Sequence, residues 1–133
     1  MDPLAPLQGM LVVALEQAVA APLCSCRLVD AGARVIKLER PEGDFARGYD
    51  RYAQGQSSYF VWLNRGKESA VVDLSQAADR EWTRRLIARA DVFIENLAPG
   101  AAGRLGLDPA AMRAANPRLV TCSIRGYSDA GPY

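Results

Sequence analysis

The stretch Met10–Glu39, MLVVALEQAVAAPLCSCRLVDAGARVIKLE, decides the fold of this chain. Its apolar run Met10–Leu15 is short and follows a glycine, as is typical of a strand buried on both faces. Pro22 suits the first turn of a helix, which can run to Asp30 before the next glycine stops it. The run ARVIKLE at 33–39 predicts a second strand. A strand, a helix and a strand in this order predict a right-handed crossover and parallel pairing.

The rest of the chain repeats this alternation. Three more apolar runs predict strands, at 68–74 (ESAVVDL), 91–95 (DVFIE) and 118–124 (RLVTCSI). The segment 41–66, rich in Gly, Arg and Tyr, is predicted to be irregular. Together these elements predict an α/β fold, a Rossmann-like, doubly wound and mostly parallel sheet.

Two further helices are predicted between the later strands. Ser75 can cap a helix over 76–90. The stripe of this helix that would face the sheet consists of Trp82, Leu86 and Ala90. A shorter helix is predicted over 109–115, capped by Asp108 and ended by the Asn-Pro pair that follows it.

Composition narrows the classes of function. The chain has 133 residues, half of them hydrophobic, which is enough for one domain. Its 16 Lys and Arg nearly balance 15 Asp and Glu, so neither nucleic acid nor an anionic membrane is expected as a partner. There is no histidine, the commonest metal ligand. The odd set Cys24, Cys26 and Cys122 predicts reduced cysteines and no metal site.

The start of the chain superficially resembles a signal peptide, because MLVVALEQAVAAP ends in small residues. However, no Lys or Arg precedes Arg27, and Glu16 and Gln17 interrupt the apolar run. No apolar stretch approaches the length of a membrane span. We therefore expect a cytoplasmic protein.

Polar side chains follow the predicted strands at the edge where open α/β sheets bind ligands. Arg and Lys suit phosphates, Tyr can stack on a base, and Asn can orient an amide or a carbonyl. The residues concerned are Arg40, Asn96, Arg104, Arg125 and Tyr127, with Lys67 just before the third strand. They predict a site for a phosphate-bearing cofactor. The alternative is that each arginine is simply solvated at the end of a strand.

A nicotinamide dinucleotide is the first cofactor to consider, because Glu39 ends the second strand, where a ribose-binding acid belongs. The first strand–helix turn, LEQAVAAP, has none of the glycines that let a pyrophosphate approach a helix. There is no P-loop either. Side chains must therefore hold the phosphates.

Five blocks occur in a fixed order: LQGMLVVALEQAVAAP, GARVIKLERPEGDFAR, FVWLNRGKESAVVDL, ADVFIENLAPGAAGRLGL and NPRLVTCSIRGYSDAGPY. In this order they resemble the family III CoA-transferases, the family of formyl-CoA transferase, carnitine CoA-transferase and α-methylacyl-CoA racemase. The resemblance runs from about Leu7 to the end of the chain. Its wording is most similar to the branch that acts on C4–C5 dicarboxylic acids such as succinate, itaconate and mesaconate.

The resemblance implies an enzyme that reversibly moves coenzyme A between an acyl-CoA and a small carboxylic acid. An aspartate would attack the thioester and form covalent intermediates. Residues 1–133 would be the N-terminal, Rossmann-like portion that binds coenzyme A. The full-length protein would be a homodimer of two interlocked, ring-shaped subunits.

The same resemblance implies which residues contact coenzyme A. The backbone amides of the segment 17–20, which begins with Gln17 and Ala18, would face the thioester and stabilise developing negative charge. The other contacts would be Arg40 at the nucleotide end, Val72 and Ser75 near the adenine, Asn96, Leu97 and Arg104 along the pantetheine and diphosphate, and Arg125 and Tyr127 close by. Two positions depart from the family pattern. Ser75 stands where some members have Lys, and Leu97 replaces an aromatic residue.

In the family, the loop that GYSDAGPY resembles leads to the segment with the catalytic aspartate. We therefore expect the nucleophile beyond residue 133, no catalytic residue here, and a chain that is one part of a longer protein and inactive alone. Asp129 occupies a variable position, and Asp44 is expected to brace its loop. Two alternatives stay open, an acyl-CoA racemase of the same family and a non-catalytic module that binds coenzyme A or a nucleotide.

Overall fold

The computed structural model describes residues 5–128 and 130–132, and it confirms the α/β fold. The strands are β1 (Leu11–Leu15), β2 (Arg34–Glu39), β3 (Glu68–Val71), β4 (Val92–Glu95) and β5 (Val120–Ser123). The helices are α1 (Ala20–Asp30), α2 (Ser58–Asn64), α3 (Ala77–Ala88), α4 (Ala101–Arg104) and α5 (Pro109–Ala115), with a 3₁₀ helix at Phe45–Gly48.

The five strands form one parallel sheet in the order β3-β2-β1-β4-β5. β1 lies in the middle, where Val13 is opposite Ile36 of β2 and Phe93 of β4. The central position of β1 explains its uninterrupted apolar sequence, because helices cover both faces of such a sheet. The chain runs outward from β1 to β3 on one side and through β4 to β5 on the other. This reversal opens a crevice at the carboxyl ends of β1 and β4.

Two apolar clusters cover the two faces of the sheet. On one face, Val12, Val35 and Ile94 pack with Ala21 of α1. On the other face, Phe93 packs with Ile87 of α3 and with side chains near α5. These clusters anchor the strands, so their carboxyl ends present loops at one fixed edge of the sheet.

The prediction that segment 41–66 is wholly irregular is wrong. Asp44 accepts a hydrogen bond from the Ala46 N–H (2.9 Å) and caps the 3₁₀ helix. Ser57 Oγ accepts from the Phe60 N–H (3.2 Å) and caps α2. α2 packs against α1 and buries Leu63 completely. Packing between these two helices thus organises a run that has no clear polar–apolar period.

Helix α3 also differs from its prediction. It begins at Ala77 with Gln76 as the N-cap residue, because the Ser75 hydroxyl donates to Asp73 Oδ1 (2.6 Å) instead. The stripe towards the sheet is different as well. Ile87 is fully buried, whereas Trp82 is 47% exposed.

The remaining boundaries need smaller corrections. β3 and β5 are shorter than the predicted strands at 68–74 and 118–124, and the one-turn helix α4 was not predicted. α5 has the predicted bounds, with its N-terminal amide held by the carboxylate of Asp108. Asp129 lies outside the described residues.

Candidate functional site

The carboxyl edge of the sheet carries two adjacent cavities. The first, of about 310 Å³, lies between the loops that follow β1, β2 and β3. The second, of about 470 Å³, lies between the loops that follow β4 and β5, beside the start of α1. Leu97 lines both cavities, so it marks the place where they meet. This is the edge at which doubly wound sheets bind ligands.

The first cavity contains four of the predicted contacts, Gln17, Arg40, Val72 and Leu97. Arg40 is exposed, and its Nε donates to the backbone carbonyl of Gly43 (3.0 Å). A guanidinium braced in this way still presents further N–H donors to an anion. The structure therefore brings a cation to the rim of an otherwise mixed apolar and acidic cavity.

The second cavity is lined by Asn96, Leu97, Arg125 and Tyr127. Arg125 Nη2 lies 3.9 Å from Oε1 of Glu95, a residue that is 1% exposed. The other carboxylate oxygen of Glu95 accepts from the Leu97 N–H (2.9 Å). Glu95, at the end of β4, thus connects the backbone of one cavity wall with the cation of the other. Its role was not predicted from the sequence.

Two predicted contacts lie outside both cavities. Ser75 is exposed and its hydroxyl is engaged by Asp73. Arg104 is exposed on α4, close to Gly100: a Cβ added to that glycine would lie 3.0 Å from Arg104 Nη1. Neither side chain lines the two cavities, so their contact with coenzyme A stays a prediction.

The Gln17–Ala18 turn between β1 and α1 is held from both sides. The amide side chain of Asn96 accepts from the Gln17 N–H (2.9 Å) and donates to the Gln17 carbonyl (2.8 Å). Asp44 Oδ1 accepts from the Ala18 N–H (3.1 Å). Ala18 has φ +66°, a left-handed conformation that costs an L-residue about 1–2 kcal/mol.

These contacts bear on the prediction that the backbone amides of segment 17–20 face a thioester. The N–H groups of Gln17 and Ala18 are donated to Asn96 and Asp44 and not to the cavity, and the role of the segment stays a prediction. The side-chain amide of Asn96 likewise hydrogen-bonds to the backbone of Gln17 and not to a ligand in the cavity. The backbone after Ala18 enters α1 at Ala20, where no side chain caps the helix.

Behind the turn lies a group of ionised side chains that sequence reasoning did not assemble. This buried charge cluster consists of Glu16, Lys37, Asp44 and Lys67, each with a side chain at most 2% exposed. Lys37 Nζ lies 2.8 Å from Asp44 Oδ2 and 3.7 Å from Glu16 Oε1. Lys67 Nζ lies 2.7 Å from the same oxygen of Glu16. Two cations and two anions thus neutralise one another out of contact with water, as buried charges require.

Hydrogen bonds complete the cluster. Lys67 also donates to the carbonyl of Pro22 and to Asn64 Oδ1, and the Ser25 hydroxyl contacts Glu16. Burial lowers the pKa of Lys67, and the attraction of Glu16 opposes that change. Asp44 braces its loop, as predicted, and it does so by way of this cluster. The sequence carries one signal for the cluster, since Lys37 interrupts the apolar residues Val35, Ile36 and Leu38 of β2.

Glu39 is held in a neighbouring network that shares Asp44 with the buried charge cluster. Arg47 donates to both of its carboxylate oxygens (2.9 and 2.8 Å), and the Ser69 hydroxyl and the Asp44 N–H donate as well. Burial alone would raise the pKa of Glu39, but these hydrogen bonds outweigh it and lower the pKa to about 2. With both oxygens occupied, Glu39 is a structural anion and not a ribose ligand.

Three findings concern the part of the chain that the structure describes. No group of three or more His, Cys, Asp or Glu residues there is arranged to hold a metal ion. None of the helices between residues 5 and 132 that are described is long and apolar enough to cross a membrane. The three cysteines form no disulfide, and burial followed by the proximity of Cys122 raises the pKa of the Cys24 thiol.

Comparison with known proteins gives consistent matches. The family model described as "CoA-transferase family III" matches residues 7–133. The acetyl-CoA:oxalate CoA-transferase of Acetobacter aceti is 40% identical over 131 residues, which are 98% of this chain and 34% of that protein. The succinate–glutarate CoA-transferase of Agrobacterium fabrum is 40% identical over 136 residues, 96% of this chain and 34% of that protein.

Solved structures agree with the sequence matches. The crystal structure of Rv3272 from Mycobacterium tuberculosis superposes with a TM-score of 0.90 at 40% identity. The match covers 98% of this chain and 36% of that one. The chain thus spans about a third of the length of the relatives that it matches.

Proposed function

The chain belongs to CoA-transferase family III, and we propose that it forms the N-terminal, CoA-binding portion of an enzyme that reversibly moves coenzyme A between an acyl-CoA and a small dicarboxylic acid. The family match over residues 7–133 is the observation that carries this proposal. The cavities at the carboxyl edge of the sheet support it, since they offer space and cations for a phosphate-bearing ligand.

The proposed acyl acceptor follows from the names of the relatives. One is named for oxalate and another for succinate and glutarate, and all three are dicarboxylic acids. A second carboxylate would distinguish such substrates from simple fatty acids, because it needs a cation or a hydrogen-bond donor when the site excludes water.

We place coenzyme A along the two cavities. Arg40 would contact the nucleotide end and Val72 would lie beside the adenine. Leu97, where the cavities meet, would contact the pantetheine, and Arg125 and Tyr127 would lie along the second cavity. Ser75 and Arg104 would reach the ligand from outside these cavities. The ligand would also contact the backbone of Gln17 and Ala18 and the loop that contains Asn96. Residues beyond 133 would supply the aspartate nucleophile and the rest of the active site. The full-length protein would be an interlocked homodimer, cytoplasmic and without a metal.

The test combines a mass measurement with an activity assay. The intact mass of the protein from its native cell identifies the polypeptide to be purified. That polypeptide is then incubated with succinyl-CoA and a free dicarboxylic acid, oxalate or glutarate, and the new acyl-CoA is followed by mass spectrometry. Transfer of coenzyme A is expected. Exchange of the α-hydrogen of 2-methylacyl-CoA in D₂O without transfer would establish a racemase instead, and binding of coenzyme A without either reaction would establish a non-catalytic module.

A variant sharpens the assignment of the site. Arg104→Ala should weaken CoA binding by about 1–3 kcal/mol, the range for a lost charge-assisted hydrogen bond. Arg89→Ala is the matched control, because Arg89 is also exposed but precedes β4 at the opposite edge of the sheet. Calorimetry that gives both variants the affinity of the wild type would remove Arg104 from the site.

A further inference from the structure

We propose that Asp44 is a positioning residue that holds Ala18 in its left-handed conformation and thereby fixes Gln17 at the rim of the first cavity. The proposal rests on the proposed function for its meaning in catalysis. It can also be tested without catalysis, by hydrogen exchange at the backbone amide of Gln17.

The turn lies at the carboxyl end of β1, the central strand of the sheet. Glu16 follows the central strand β1 and turns into the buried charge cluster, while Gln17 lines the first cavity. Ala18 then has φ +66°, two residues before α1 begins at Ala20. An alanine adopts this conformation only where its surroundings impose it. The residues that impose it are therefore part of the site.

Two side chains from different loops hold the turn from opposite sides. Asn96, from the loop after β4, binds the backbone of Gln17 on one side, and Asp44, from the loop after β2, binds the N–H of Ala18 on the other. Loops of both strands that neighbour β1 thus converge on two residues. Asn96 fixes the peptide before the left-handed residue, and Asp44 fixes the residue itself.

Asp44 is itself held rigidly by several hydrogen bonds. Its Oδ2 accepts from Lys37 Nζ, its own N–H is held by Glu39, and its Oδ1 also caps the 3₁₀ helix at Ala46. The Asp44 carboxylate therefore has one available orientation, with Oδ1 directed at Ala18. A hydrogen bond to such a preorganised acceptor restrains the turn far more than one to a mobile side chain.

The test is a rescue experiment on the intact gene product. Asp44→Ala should lower kcat for CoA transfer by about 10-fold or more and change the KM for acyl-CoA by less than about 3-fold, because a misplaced group mainly reduces turnover. Adding Ala18→Gly should recover at least about 3-fold in kcat over Asp44→Ala alone, since glycine adopts φ +66° without help. Should Asp44→Ala fail to fold, the same comparison is made with Lys37→Met added to both Asp44 variants, which removes the buried cation that Asp44→Ala leaves without its nearest anion.

A purely structural role of Asp44 predicts that Ala18→Gly raises kcat no more in the Asp44 variant than in the wild-type protein. Glycine replaces none of the hydrogen bonds from Lys37 or Ala46, and it adds freedom to the unfolded chain. Asp108→Ala is the control, because it also removes a carboxylate from a backbone N–H (Ala111) but lines neither cavity. That control should keep the kcat of the wild type. Glycine that fails to raise kcat in the Asp44 variant would overturn the proposal.

Hydrogen exchange separates this proposal from the proposed function. The Gln17 amide, which Asn96 holds, should exchange at least about 10-fold faster in Asp44→Ala and slow down again when Ala18→Gly is added. If the wild-type protein transfers no coenzyme A, the proposed function fails and exchange alone decides. Unchanged exchange at Gln17 in Asp44→Ala would then overturn the positioning role.

Discussion

At the scale of single residues, Lys37 shows how a charged side chain can be buried in the interior of the protein. It lies on β2 next to the central strand and is 1% exposed, yet Asp44 and Glu16 supply two anions within 3.7 Å. Removing one member of such a group leaves an unpaired charge in the interior, which is far more damaging than exchanging the whole group for apolar residues.

Glu39 gives a prediction about pH. Its pKa of about 2 lies below the ordinary value of 4.5, so charged Glu39 contributes stability above about pH 4.5, and this contribution is lost as the pH falls towards 2. Glu39→Gln should therefore lower the free energy of unfolding by about 1.5–3 kcal/mol at pH 7, the range for hydrogen bonds to a charged group. The difference between variant and wild type should shrink below pH 4.5. Urea denaturation of the purified protein at several pH values measures it.

An exposed ion pair serves as the control for this series. Glu68 pairs with Arg34 at the surface, where both side chains are more than half exposed. Glu68→Gln should change the stability little at any pH, because exposed pairs contribute little. If Glu39→Gln were equally destabilising at pH 3 and pH 7, packing and not charge would be the reason.

At the scale of elements, α3 shows that an apolar pattern alone does not orient a helix. The spacing of Trp82, Leu86 and Ala90 is helical, and Ala90 is indeed buried at the end of the run. The face against the sheet nevertheless centres on Thr83 and Ile87, both fully buried. The bulky Trp82 lies at the margin, beside the edge strand β3.

This orientation predicts unequal effects of two alanine substitutions. Ile87→Ala should lower the free energy of unfolding by about 2–5 kcal/mol, because it leaves a cavity in the core. Trp82→Ala should cost only about 1 kcal/mol, although it removes the larger side chain, because half of that side chain already contacts water. Thermal or urea denaturation of the two variants distinguishes them. A reversed order would mean that α3 faces the sheet with its predicted stripe.

At the scale of the molecule, the described sheet has two outer strands, β3 and β5, whose outer edges pair with no other described strand. Val71 on β3 is 66% exposed and Val120 on β5 is 60% exposed. An exposed apolar edge strand is a template for pairing with another chain, and lysine at such an edge prevents it.

We therefore expect residues 1–133, produced by themselves, to associate as their concentration rises. The double variant Val71→Lys, Val120→Lys should shift sedimentation towards the monomer. Val61→Lys on α2, where the valine is 43% exposed, is the control for added charge away from the edges. An equal effect of the control would assign the association to the helical surface.

The sequence by itself determined the order of the elements, the parallel sheet, the edge that carries the cavities and the family. The structural features follow from short-range patterns, since the period of apolar residues, a proline, a glycine or a cap acts within a few positions. The family follows from the resemblance of five ordered sequence blocks. The place of Arg40 at the first cavity was predictable because the carboxyl ends of parallel strands meet at one edge, whereas Gln17, Val72 and Leu97 came from the family resemblance.

Only the tertiary structure decided how the polar groups are paired. Lys67 meets Glu16 across 51 positions of sequence, and Asn96 meets Gln17 across 79. No local pattern encodes such partners, because they are chosen by strand order and by the need of buried charges for neutralisation. The left-handed Ala18 has the same origin: alanine does not favour that conformation, and the loops of the two neighbouring strands impose it.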